Sequence, residues 1–359
     1  MPIRKLAPSF GVLATLLVGG SSGVAHAELR AYFLDVGQAD ATLLDAPGCT
    51  LLIDGGRHDR SDIVPHLYGL GVMGLDLLIG THPHADHIGQ FPKVLAEFPV
   101  GEVWMSGWEH LTQTFERSLD AILEAGAGYH EPRAGEVEEC GPLLLEIVHP
   151  VEPLQNVHDN LALRVVHGEV RFLFTGDAEL PHEREMIERG ELLGANVLQL
   201  GHHGSRTSSS AAFLKSVDPE VAVYSAGADN RYGHPHPEVI HRLLARDVEI
   251  YGTPEHGTIQ LVSDGHSLRV RTETGVGPLT EVAELADTES GLSPDECVDL
   301  NSASSEDLEL ITHIGPARAE AIIDSRPWGS VGNLTRIQGI GGGRMEDIQD
   351  QGLACVGGN

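Results

Sequence analysis

Basic residues are scarce in this chain. Lysine and arginine number 23 against 53 aspartates and glutamates, a formal net charge of −30 over 359 residues. Such a surface repels polyanions at long range, which argues against broad electrostatic binding of nucleic acid. Cysteine is also sparse, and Cys49, Cys140, Cys297 and Cys355 contain no CxxC spacing. That removes the signature of a zinc ribbon or a dithiol redox module. Long apolar runs are missing apart from Phe10 to Val18, which is too short to span a bilayer comfortably.

The run from Phe10 follows Arg4 and Lys5 and gives way to small residues ending Ala25-His26-Ala27. A basic n-region, an apolar h-region and an A-x-A end read as a secretory signal peptide over residues 1–27. Export to a periplasm or the outside is therefore expected. Cleavage after Ala27 leaves 21 basic residues against 53 acidic ones, a net charge of −32. Four cysteines in an exported chain can form two disulfides, with three pairings open. Cys297 and Cys355 bracket the last small segment and suit a staple, while Cys49 and Cys140 lie in glycine-containing turns and can pair.

What the chain has in plenty is glycine, 43 residues, beside 41 % hydrophobic residues. Both fit a loop-rich globular enzyme, and the length allows one enzyme-sized domain plus a small one. Leu29–Val36, Ala41–Leu44, Thr50–Ile53 and Leu75–Ile79 read as strands, with helical patterns at Ile63–Leu70, Phe91–Phe98 and Phe115–Glu124. Leu143–Val148, Leu161–Val166, Arg171–Thr175, Val197–Leu200, Val221–Ser225 and Ile259–Val262 continue the strands. Glu183–Arg189 and Pro237–Ala245 are helical between them. The alternation predicts an α/β sandwich with sheets inside and helices outside. Residues 272–296 are acidic, lack periodicity and read as a linker. An all-helical pattern follows over 297–359, where Ile311-Thr312-His313-Ile314-Gly315-Pro316 is echoed by Ile337-Gln338-Gly339-Ile340-Gly341-Gly342.

The chemistry concentrates at strand ends. His82, His84, Asp86 and His87 fall within six residues directly after the apolar run Leu75–Gly80. Imidazole and carboxylate donors so closely spaced on a turn can converge on a cation. His82 and His84 can hold one metal, and Asp86 and His87 a second. A histidine-rich surface turn is the bland alternative, and the spacing HxHxDH after a strand weighs against it. The strand Arg171–Thr175 delivers Asp177, a carboxylate able to bridge two divalent cations. Capping the next helix is its alternative role. The strand Val197–Leu200 ends in His202 and His203, a third strand end rich in donors.

Six segments now share one resemblance: DVGQAD at 35–40, LLIDGG at 51–56, HPHADH at 82–87, FTGDAE at 174–179, GHHGSRTSSS at 201–210 and GADNRYGHPHPEV at 227–239. In this order they resemble the metallo-β-lactamase superfamily, and more narrowly ComEC-type DNA-uptake proteins and their secreted relatives, over about residues 29–265. The resemblance implies an αββα sandwich over residues 28–271 and a site with two divalent metal ions. Zinc suits the imidazole donors, and manganese would suit a phosphodiesterase. His82, His84, Asp86 and His87 match the first ligand motif and Asp177 the bridging acid. One of His202 and His203 becomes a ligand and the other a proton donor or substrate contact, with Asp86, His202 and His203 the catalytic set. Asp54 is expected to orient a ligand histidine from outside. Asp40 keeps its place although Ala39 replaces a customary glycine. His158 is the nearest candidate for a further ligand, with His149 next, and His234 and His236 suit a structural or substrate-binding role at the mouth.

Residues 297–359 resemble the tandem helix-hairpin-helix domain of ComEA-type DNA receptors, with IGPARAEAII at 314–323 as one hairpin and IQGIGGG at 337–343 as the other. Such hairpins present backbone N–H groups to phosphate oxygens without reading bases. Gly315, Gly339 and Gly341, with Arg318 and Arg344 just inside the following helices, are the expected DNA contacts. His313 stands where the first hairpin usually has a glycine. Nine acids against four arginines in 298–356 make the module acidic, so protein docking is the competing reading. Three functions follow as candidates. They are an exported nuclease holding DNA by its tail, a hydrolase of small phosphoesters, lactams or lactones with a docking tail, and a surface DNA receptor with a structural metal.

Overall fold

The computed structural model describes residues 27–154, 159–228 and 230–280. Between 298 and 356 it describes all but 304–307, 309, 310, 312, 315, 342, 343, 346, 347 and 349–352. The signal-peptide reading, His158, Gly315 and Cys297 thus lie outside the described residues.

Two sheets form the first unit. One contains β1 (Leu29–Phe33), β2 (Thr42–Ala46), β3 (Cys49–Ile53), β4 (Leu75–Gly80), β5 (Val100–Met105) and β6 (Gly128–His130), extended at β1 by β14 (Ile259–Ser263) and β15 (Leu268–Thr272). The other runs from β7 (Val137–Cys140) through β8 (Leu143–His149), β9 (Ala162–His167), β10 (Val170–Phe174), β11 (Val197–Gln199) and β12 (Val221–Tyr224) to β13 (Glu249–Gly252). Period-two alternation explains how they pack. Leu29, Ala31 and Phe33 of β1 and Phe172 and Phe174 of β10 turn to the space between the sheets, where Phe33 and Phe174 stack with centroids 6.1 Å apart. Truncating Phe33 to alanine would cost about 3–5 kcal/mol.

The outer faces are covered by helices. Leu43, Leu52 and Leu78 pack under α1 (Ile63–Gly69), α2 (Phe91–Glu97) and α3 (Gln113–Ala125). Leu173, Leu198 and Ala222 pack under α4 (Leu180–Glu188), α5 (Ala211–Val217) and α6 (Pro237–Leu244). The expected αββα order of layers is therefore present. The helix α3 shows the local logic: Thr112 caps it by accepting from Phe115 N, and Gly126 ends it at φ 66°. A disulfide joins Cys49 at the β2–β3 turn to Cys140 at the end of β7, tying one sheet to the other.

Five strands of the first unit escape the sequence pattern: β5, β6, β7, β13 and β15. All but β5 lie at sheet edges, and β7 and β15 are too polar and exposed to alternate clearly. The linker also begins later than 272: Glu273 N donates to Thr258 O, Thr274 N to His256 O and Leu279 N to Ile250 O. Those bonds draw the chain along the first unit before residue 281.

The second unit has its own core, in which Leu300, Leu308, Ile322, Trp328, Leu334 and Ile348 are buried, with α7 (Pro316–Asp324) contributing Ile322. It is not wholly helical, contrary to the sequence pattern. Val298–Asp299 (β16) and Ala354–Cys355 (β17) pair in parallel and bring the two ends of the unit together. Cys355 is disulfide-bonded, and the expected partner, Cys297, lies outside the described residues. No helix among the described residues is long and apolar enough to cross a membrane.

Candidate metal centre

The parallel strands β3 and β4 in one sheet and β10, β11 and β12 in the other end on the same side, and their following loops carry the donors. Two groups form there. One contains Asp40, His87, Asp177 and His203, the other His82, His84 and Asp177, and within each the donor atoms lie no more than 4.8 Å apart. Asp177 belongs to both. Its Oδ1 faces His87 Nε2 at 3.3 Å and its Oδ2 faces His82 Nε2 at 3.5 Å. Each carboxylate oxygen thus serves a different group, the geometry a bridging acid needs.

Backbone geometry puts these side chains in place. Asp177 follows β10 through Gly176, and its N–H donates to Asn160 Oδ1 at 2.9 Å. It does not cap α4, whose N-cap is Glu179. His202 and His203 occupy a tight 3₁₀ turn with φ of 50° and 58°, a left-handed pair that non-glycine residues rarely adopt. His202 N donates to Gly176 O at 3.1 Å, which ties this turn to the Asp177 loop. His87 is fixed from behind. Its Nδ1 lies 2.8 Å from Asp54 Oδ2, and Asp54 also accepts from Thr81 N and Oγ1. With the proton on Nδ1, the Nε2 lone pair is left for the centre.

Donor chemistry tests whether a metal fits. Asp40 Oδ2, His87 Nε2, Asp177 Oδ1 and His203 Nε2 are buried and have no hydrogen-bond partner. Buried polar atoms are normally satisfied, so four unsatisfied ones on residues gathered this closely fit a cation. Imidazole and carboxylate donors are those of zinc and manganese sites.

Electrostatics follows from the crowding. Burial pushes the Asp40 carboxyl up to about 6, opposed by the charges of His203 and His87. Burial pulls His203 down, but Asp40, Asp177 and Asp86 outweigh it and carry the imidazole up to about 9. His87 is raised well above its ordinary range: burial opposes, and Asp177 and Asp54 prevail. Asp177 is held well below the usual carboxylate range against its burial, by His87, His202, His203 and His82. Burial drives His234 and His236 the other way, to about 2 and about 3.

The expected residues sort themselves. His82, His84, His87, Asp177 and His203 come together as read from the sequence. Asp86 lies beside them rather than within either tight group, its Oδ2 3.5 Å from His203 Nε2 and so on the donor face of that histidine. Asp40, expected as an outer residue, lies within reach of one group, its Oδ2 3.9 Å from His87 Nδ1 and 3.7 Å from His203 Nδ1. The reason is that Asp40 N donates to Asp86 O and Gly56 N to Asp40 O, which docks the β1–β2 loop under the histidine turn. His202 lies at the edge, 3.8 Å from Asp177 Oδ2 and 3.4 Å from Glu179 Oε1, and is 28 % exposed where His203 is 2 % exposed. His149 is elsewhere, its Nδ1 against Asn160 O at 2.8 Å. His234 Nδ1 meets Gln38 Nε2 at 3.3 Å, and His236 Nδ1 accepts from Arg206 N at 3.0 Å. Thr81, Asn160 and Glu179 were missed. Thr81, next to His82, and Glu179, the last residue of FTGDAE, carried a positional signal.

In the second unit His313 adopts φ 64° where a glycine was expected. Arg318 Nη1 donates to His313 O and its Nε to Gln338 O, linking the two hairpins. Arg344 Nη1 donates to Gly339 O at 2.8 Å. Both guanidinium groups are thus partly engaged by hairpin carbonyls. Gly341 is exposed and a Cβ there would meet nothing within 4 Å, whereas Gly339 has φ +87° and would press on Arg318.

Comparison with known proteins agrees with this geometry. The metallo-beta-lactamase superfamily matches residues 34–228, and the helix-hairpin-helix motif matches residues 293–351. ComE operon protein 3 of Bacillus subtilis is 30 % identical over 248 residues, which is 63 % of this chain and 32 % of that protein. Competence protein ComA of Neisseria gonorrhoeae is 34 % identical over 232 residues, 63 % of this chain and 31 % of that one. A deoxyribonuclease of Thioalkalivibrio sp. is 42 % identical over 102 residues, 28 % of this chain and 24 % of that one. The matches thus span about a third or less of each relative's length. With Asp177 set between two groups of donors on an αββα frame, the chain belongs to the metallo-β-lactamase superfamily and carries a helix-hairpin-helix domain beside that fold.

Proposed function

We propose that the protein is an exported, metal-dependent phosphodiesterase that cuts DNA held by its own helix-hairpin-helix unit. The observation that carries this reading is Asp177, whose two oxygens face separate donor groups at 3.3 and 3.5 Å. Two divalent cations held there, zinc by the donor set or manganese, would supply Lewis acidity to a phosphodiester and to the attacking water. The chain's own groups do the rest. Asp54 fixes the His87 ring, and Asp40, Asp177 and His203 complete one donor group while His82 and His84 with Asp177 form the other. Asp86 steadies His203 from the open side. His202, at the rim and between Asp177 and Glu179, is the group placed to protonate the leaving alkoxide. The deoxyribonuclease and competence relatives support a DNA substrate, and a sequence-blind phosphate grip nearby would raise its local concentration. The disulfide between Cys49 and Cys140 supports an oxidising compartment outside the cytoplasm.

One observation favours a second reading, a hydrolase of small phosphoesters whose tail docks on protein: Arg318 and Arg344 bond hairpin carbonyls. Incubating the full mature chain with plasmid and single-stranded DNA in Zn²⁺, Mn²⁺ and Mg²⁺, with a chelator control, separates the two. Cleavage that stops on chelation is expected, and intact DNA in all three metals sinks the nuclease reading.

A further inference from the structure

Tyr232 is an aromatic ring 49 % exposed at the edge of the histidine cluster. It stacks on His234 with centroids 5.6 Å apart and 23° between the planes. His234 in turn lies 5.7 Å from the His202 ring and 6.0 Å from that of His203. A row of rings therefore leads from the donors to solvent. Asn230 holds its outer end rigid: Oδ1 accepts from Tyr232 N at 3.1 Å and His234 N at 2.9 Å, and Nδ2 donates to Gly227 O and His234 O. Arg231 lies over the ring, its guanidinium carbon 5.1 Å from the centroid and Nη2 on the tyrosine hydroxyl at 3.1 Å, so an incoming base stacks by displacing it.

A tyrosine over a histidine can be mere packing. The charge of the chain adds a second consideration. At −30, the protein repels a polyanionic strand, so a strand at the centre must be held by contacts that do not rest on net charge. Stacking of a base on an aromatic face is such a contact, and it accepts every base because each has a π-face. On the His84 side of the centre, His110 stands edge-on at 5.4 Å and Leu111 is 98 % exposed, a further apolar surface for bases.

We infer that Tyr232 is the platform on which the base next to the scissile phosphate stacks, which makes single-stranded nucleic acid the substrate of the proposed phosphodiesterase. The inference rests on that activity. Its test compares the wild-type full chain, Tyr232→Ala and Tyr232→Trp, loaded with the metal that supports turnover, on a single-stranded oligonucleotide and on an abasic strand of equal length. Tyr232→Ala is expected to lose about tenfold in kcat/KM on the base-bearing strand, chiefly through KM, and nothing on the abasic strand. Tyr232→Trp restores the rate. Equal losses on both strands would make Tyr232 a prop for His234, and no loss on either would make it idle; both overturn the inference. A duplex of the same sequence is the third substrate: a wild type that cuts duplex but neither single strand overturns the inference alone, and one that cuts none of the three defeats the phosphodiesterase reading itself.

Discussion

Asp54 Oδ2 and His87 Nδ1 stand 2.8 Å apart with both side chains fully buried. Because Asp54 also accepts from Thr81 N and Oγ1, its carboxylate is fixed before it meets the imidazole. Asp54 has φ 58°, a conformation asparagine tolerates, so Asp54→Asn tests the charge without breaking the turn. Metal affinity is expected to fall about 10- to 100-fold, read by competition with a chromophoric chelator. An unchanged affinity would remove the orienting role from Asp54.

Sharing of Asp177 has a stoichiometric consequence. Asp177→Ala removes a donor from both groups, and Asp40→Ala removes one from a single group. Elemental analysis of the purified variants should find less than one equivalent of metal in the first and about one in the second, against about two in the wild type. Two equivalents retained by Asp177→Ala would mean that the acid bridges nothing.

Glu183 makes stability depend on pH away from the centre. It is buried, and its carboxylate accepts from Ser209 N and, at 2.9 Å, from Ser210 N. Burial pushes its carboxyl up to about 7 from an ordinary 4.5, against the pull of those bonds. Between those values the folded chain keeps a proton that the unfolded chain has released. Stability therefore falls as pH rises through that window and levels off above about 7, by about 3 kcal/mol at most. Glu183→Gln has no such slope. The melting temperature of the wild type, relative to that variant, should drop between pH 5 and pH 8, and a constant difference would refute this account.

In the second hairpin, the open space around Gly341 allows a side chain that the fold ignores and a phosphate does not. Gly341→Val should leave thermal unfolding unchanged and lower DNA retention about tenfold, with the wild-type affinity falling only shallowly with salt because few phosphates are held. Unchanged retention would move the grip elsewhere. Gly339→Val is the poorer test, since its φ of +87° strains any replacement.

The legible parts of the fold were those written in local pattern. Runs such as Leu75–Gly80 and Arg171–Thr175 read as strands because consecutive apolar residues have two buried faces to fill. Val137–Cys140 and Leu268–Thr272 did not, because an edge strand keeps polar side chains in solvent and loses the pattern. The pair β16–β17 was invisible for another reason, since two-residue strands far apart in the chain carry no signal of their own.

Sequence alone established which chemistry was available. Histidines and acids placed after apolar runs identify a strand-end site, and the hydrophobic periods dictate a layered α/β frame, because both are properties of neighbouring residues. Which donors lie within reach of one another was decided only by tertiary structure. Asp40 reaches His87 because the β1–β2 loop hydrogen-bonds under the histidine turn, while Asp86, in the motif itself, turns to His203. Packing of two sheets brings those loops to one side, and proximity across the two sheets is not encoded in any short stretch of chain.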